Sequence, residues 1–107
     1  MKIPSSLKIA GHEVKVLFPH HFKELADTYG QSDYQPGEMR VNDMADSLAR
    51  TDGNIKVTVW HEIIHFILFY YAPFLEKHDE SLVRALAHGL HQVFEDNDLD
   101  FRGPIER

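Results

Sequence analysis

Residues 57–71 read VTVWHEIIHFILFYY, a run that is apolar except at Thr58, His61, Glu62 and His65. It is too long for an ordinary strand and is followed by Ala72-Pro73, where the proline ring forbids a helix to continue. The polar stretch before it, MADSLARTDGN (44–54), offers Asp52 or Asn54 as a cap. The reading is a helix from near Ile55 to about Tyr71, greasy enough to be buried on most of its circumference. Two imidazoles and a carboxylate in such a helix need partners, because an unpaired polar group in apolar surroundings costs several kcal/mol.

Working outward, LKIAGHEVKVLF (7–18) alternates apolar and polar residues around Ala10-Gly11. Leu7 and Ile9, then Val14, Val16 and Phe18, mark two strands of a hairpin that Pro19 ends. HHFKELADTYG (20–30) is expected to form a short helix with Phe22, Leu25 and Ala26 on one side and Gly30 as its stop. Pro36-Gly37 marks a turn between Tyr34 and the pair Met39 and Val41, suggesting two more strands. Beyond the apolar run, Asp79 is a good cap for a second helix, with Leu82, Val83, Leu86, Leu90, Val93 and Phe94 spaced as its buried face. The acidic tail carries Gly103-Pro104, so residues 101–107 are read as irregular. Strands followed by helices give an α+β class: one domain over 1–107, a small, twisted, mostly antiparallel sheet and then two antiparallel helices.

Composition narrows the function classes. There is no cysteine among the 107 residues, which removes disulfides and thiolate metal sites. The net charge of -6, with Lys and Arg scattered, argues against a nucleic-acid binder that works by neutralising phosphates. The N-terminus lacks the apolar core of a signal peptide, and the greasiest run is shorter than the ~20 residues a bilayer needs. The expectation is a cytoplasmic monomer with no membrane or nucleic-acid partner. His20-His21 and the turn residue His12 read as solvated, without an acidic partner at useful spacing. The cluster Glu95, Asp96, Asp98 and Asp100 lacks the glycine and terminal glutamate of a calcium loop.

His61 and His65 are four residues apart, hence one helical turn apart on one face, and can share a cation. Zinc accepts imidazole nitrogen at about 2.0–2.1 Å, so the pair is a natural clamp. Glu62, rotated about 100° from His61, stands beside such an ion and can take a proton from water and pass it to a leaving amine. The competing reading, histidines satisfied within a core, must find partners for all three polar groups. A catalytic zinc also needs a third protein ligand. Position 71, six residues beyond His65, is tyrosine, so a third histidine at that spacing is absent. The candidates are Glu76, His78, Asp79, Glu80, His88 and His91. A tight turn would return the second helix past His65, which favours Glu80 on the flank of its buried stripe and leaves His88 as the alternative.

HEIIH followed by ESLVRALAHGL resembles the gluzincin metallopeptidases, in which a second helix supplies a glutamate ligand. Its length is similar to that of the single-domain minigluzincins, and its layout to small phage and bacterial relatives of the ImmA/IrrE peptidases. The resemblance covers most of the chain and is specific over residues 57–91. It implies a zincin-like fold, zinc on His61, His65 and Glu80, and Glu62 as general base. The Ala-Asn pair usual after the glutamate in ImmA-type chains reads Val83-Arg84 here. It further implies latent forms with a terminal segment in the cleft, a role that would fall to FRGPIER (101–107); a frayed terminus is the alternative.

The expected function is therefore a small zinc metallopeptidase acting on a peptide or protein, with few specificity pockets and so a narrow substrate range. The strand around Met39 to Asn42 is expected to hold the extended peptide by main-chain pairing. Tyr70, Tyr71, His88 and His91 are candidates to stabilise the oxyanion, with core packing the plainer role for both tyrosines. The rival from another class is a zinc-stabilised protein-binding module that cuts nothing, for which a carboxylate between the two histidines has no use.

Overall fold

Ala10 and Gly11 both adopt positive φ, 52° and 79°, as the two central residues of a type I′ hairpin turn must. In the computed structural model, which describes residues 2–22, 29–45 and 48–107, they join β1 (Ser6–Ile9) to β2 (His12–Leu17) as an antiparallel pair with Ile9 opposite His12. β3 (Gly30–Asp33) and β4 (Glu38–Val41) form a second antiparallel pair, and Gly37 at the turn between them has φ 68°. The sheet order is β1-β2-β4-β3, closed by a parallel pairing of β2 with β4 that sets Val16 opposite Met39. The class is α+β as expected, with a mixed sheet in which only this central pairing is parallel. The short helix expected over 20–30 falls mostly on 23–28, outside the described residues, and Gly30 opens β3.

β4 is thus an inner strand, not the exposed one expected beside the cleft. Its Met39 and Val41 are completely buried, and a strand that buries alternate side chains gains most between two neighbours. The exposed edge on that side is β3, whose sequence GQSD carries nothing greasy. The stretch 44–54, expected to be plain turn, contains a second small sheet of β5 (Met44–Ala45) and β6 (Leu48–Ala49).

Helix α1 (Asp52–Tyr71) starts three residues earlier than expected, with Thr51 rather than Asp52 or Asn54 as its cap. The Thr51 hydroxyl accepts from the Asn54 N–H at 3.2 Å, leaving Asp52 in the first turn where its charge suits the helix dipole. Phe66, fully buried, packs on Val14, Val16 and Met39, while Ile55 and Val59 join Val41. The opposite side of α1 meets α2 (Glu80–Asp96) through Ile64, Val83 and Ala87. The expected buried face of α2 is wider than the real one. Leu82, Leu86, Val93 and Phe94 are exposed and Leu90 is half-buried, because α2 has one neighbour, and one helix covers only a narrow stripe.

Asp79 caps α2 as expected, its Oδ1 accepting from the N–H groups of Ser81 (3.0 Å) and Leu82 (3.2 Å). Asp79→Ala leaves both donors without this acceptor and should cost about 1 kcal/mol. In a domain of this size that lowers Tm by about 5 °C, measurable by thermal unfolding followed by circular dichroism.

Candidate metal centre

Helical spacing brings His61 and His65 side by side on α1, and the first residue of α2 carries Glu80 to them. His61 Nε2 lies 3.2 Å from His65 Nε2. Glu80 reaches across with one oxygen to each ring, Oε2 at 3.1 Å from His61 Nε2 and Oε1 at 2.9 Å from His65 Nε2. The ligand atoms of the three residues all lie within 4.8 Å of one another, a cluster that could hold a metal ion. Two donors bound at 2.0–2.1 Å to a tetrahedral ion sit about 3.3 Å apart, so the two nitrogens already have the spacing of neighbouring ligands. Burial pushes the pKa of His65 down, against the upward pull of Glu80 and with the added repulsion of His61 and His78. The neutral imidazole that a metal requires is thereby favoured.

Glu62 projects beside this cluster and is 5% exposed. Ser32 on β3 donates its hydroxyl to Glu62 Oε1 at 3.0 Å. Burial pushes the Glu62 carboxyl up to about 7; the Ser32 hydrogen bond lowers it and the Glu80 charge raises it. A carboxyl that exchanges its proton near neutrality suits general base work.

His61, Glu62, Glu80, Arg84 and His88 share a cavity of about 740 Å³ with Gly30 of β3 and with the β5–β6 segment. Arg50 ties that wall together. Its guanidinium donates to the carbonyls of Asn42 (2.6 Å) and Asn54 (3.1 Å) and to the Thr58 hydroxyl (2.5 Å), and lies 4.6 Å from the centre of the Tyr29 ring. Gly30 is where β3 presses hardest on α1. A Cβ there would stand 2.6 Å from Thr58 Cγ2 and 3.3 Å from Glu62 Cγ. Gly30→Ala must push strand and helix apart and should cost about 1–3 kcal/mol. Urea unfolding read beside wild type checks it; an unchanged midpoint would mean that the strand yields freely.

The chain matches no family model, no curated protein and no solved structure. The site is therefore read from its own geometry. Of the residues singled out in the sequence, His61, Glu62, His65, Glu80 and His88 come together, His88 on the cavity wall rather than in the ligand cluster. Tyr71 is 68% exposed at the end of α1, and His91 lines a separate apolar cavity with Trp60 and Phe94. Neither lines the main cavity. Tyr70 stacks on His12 and packs against the sheet core. His21 pairs with Asp43 at 2.8 Å, a partner 22 residues away that local spacing does not reveal. None of residues 101–107 lines the main cavity, and Phe101 and Ile105 are exposed.

Tyr34 was missed. Its ring stacks on Phe69 and meets Phe66 edge-on, and its hydroxyl is pushed up to about 12, first by burial and then by the charges of Glu62 and Glu80. It is a protonated donor that feels both carboxylates of the site. His78, a candidate ligand in the sequence, stands outside the cluster with its Nδ1 2.7 Å from His65 Nδ1. No described helix is long and apolar enough to cross a membrane.

Proposed function

We propose that the chain is a zinc-dependent peptidase. The observation that carries this reading is Glu62: a buried carboxylate beside the two clustered imidazoles, held by Ser32 and opening on the cavity. A structural metal site has no need of it. His61, His65 and Glu80 would hold a zinc ion, which when bound would supply Lewis-acid polarisation of the scissile carbonyl and a lowered pKa for a water. Glu62 takes the proton from the attacking water as its oxygen adds to the carbonyl carbon. As the C–N bond breaks, Glu62 returns that proton to the departing amine nitrogen. His88 on the cavity wall and the protonated Tyr34 hydroxyl are the candidate donors to the oxygen on which charge develops.

The edge of β3, beginning at Gly30 on the cavity wall, offers main-chain groups to an extended peptide. That role falls to β3 in place of the strand around Met39. The test is incubation of zinc-loaded protein with a diverse peptide library and mass spectrometry of the products. Defined cleavage sites, abolished by a chelator and restored by zinc, are the expected result. A zinc-binding protein that leaves the library intact would favour the rival reading, a binding module.

A further inference from the structure

His65 has two ring nitrogens and both are spoken for. Nε2 faces Glu80 and His61, while Nδ1 points away from them to His78. The two Nδ1 atoms are 2.7 Å apart, and the ring centroids 5.0 Å apart with planes at 23°. With the nitrogens so much closer than the ring centres, the rings meet edge to edge, an in-plane hydrogen bond rather than a face-to-face stack. A neutral imidazole carries one N–H and one lone pair. If Nε2 presents its lone pair to a cation, the proton must be on Nδ1, and in a residue 8% exposed that N–H needs an acceptor. His78 Nδ1 is that acceptor.

We propose that His78 is a positioning residue of the metal centre, its Nδ1 lone pair accepting the His65 Nδ1–H and fixing the tautomer and ring angle in which His65 Nε2 ligates. The inference rests on the metal reading of His61, His65 and Glu80. Metal-bound histidines are ordinarily held this way by a carboxylate, a carbonyl or water; here the partner is a second imidazole. Its placement follows from the chain. His78 directly precedes the α2 cap Asp79 and the ligand Glu80, so the connection that delivers the third ligand also delivers the support for the second. Tyr34 meets the His78 ring at 6.2 Å and 64°, backing it from the sheet side.

Zinc affinity, measured by competition with a chromophoric chelator, separates this role from simple packing. His78→Leu keeps bulk and removes the acceptor; His78→Asn keeps an oxygen where Nδ1 stood. The expected result is zinc binding about 10–100-fold weaker in His78→Leu and recovered to within a few-fold of wild type in His78→Asn. The metal-free thermal midpoints of the two variants should be alike. In zinc-loaded wild type, long-range ¹H–¹⁵N spectra should place the His65 proton on Nδ1. Wild-type affinity in His78→Leu, or equal weakening in both variants, would overturn the role while leaving the metal centre standing. Wild type that binds no zinc would overturn the metal reading itself, and this inference with it.

Discussion

Glu62→Gln is expected to bind one zinc per chain and to cleave its peptide at least about a thousandfold more slowly than wild type. General acid–base groups contribute typically 10²–10⁴-fold, and here one carboxylate serves both the attacking water and the leaving amine. The variant is a clean control because the amide has the same shape. Its oxygen can still accept the Ser32 hydroxyl that now binds Glu62 Oε1 at 3.0 Å, and none of the three clustered ligand groups is touched. Metal content by mass spectrometry and steady-state cleavage of one substrate, measured on the same preparation, decide the matter. Cleavage at the wild-type rate would remove Glu62 from the chemistry, whatever its position.

Stripping the metal should lower Tm by roughly 15 °C or more. A ligand at a thousand times its Kd stabilises the folded state by about 4 kcal/mol, and each kcal/mol moves the midpoint of a domain this size by several degrees. The donor arrangement makes the effect specific. Glu80 is the bridge between the helices at this end, and its two oxygens lie at 2.9 and 3.1 Å from the two imidazoles. Scanning calorimetry with and without chelator, on protein purified without a histidine tag, measures it. His65→Ala and Glu80→Ala should lose both the zinc and the chelator sensitivity, whereas His88→Ala, on the cavity wall, should keep both. A Tm indifferent to chelator in zinc-loaded wild type would reduce the cluster to an ion-paired network.

The parts of this site that could be read in the sequence are those set by local rules. The Ala10-Gly11 turn, the Asp79 cap and the His61–His65 pair each follow from residues a few positions apart. Glu80 was reachable because a short connection forces α2 back along α1. Partners distant in the chain were not legible. Ser32 and Glu62 are 30 residues apart and meet only because β3 lies over α1. The Pro36-Gly37 turn and Tyr34 mark a strand before it, but residues 30–33 carry no apolar alternation, so the sequence does not say that this strand lies against α1. The width of the α2 face misled for a related reason. Periodicity reports which residues are greasy, but the number of neighbours decides how many are covered, and Leu82 and Leu86 stay exposed. Arg50 carries no signal in the sequence; its partners Asn42, Asn54 and Thr58 meet it only once β4 and α1 are docked.

The three residues of the candidate metal cluster lie within a single helical hairpin, His61 and Glu80 only 19 residues apart. Loop closure over so short a span costs little chain entropy compared with pairing distant strands. The cluster is thus a local feature of the two helices, whereas the Ser32 hydrogen bond to Glu62 spans 30 residues and needs β3 in place over α1. Any ion in this cluster would be gripped by the hairpin alone, while the edge strand governs only the carboxylate beside it.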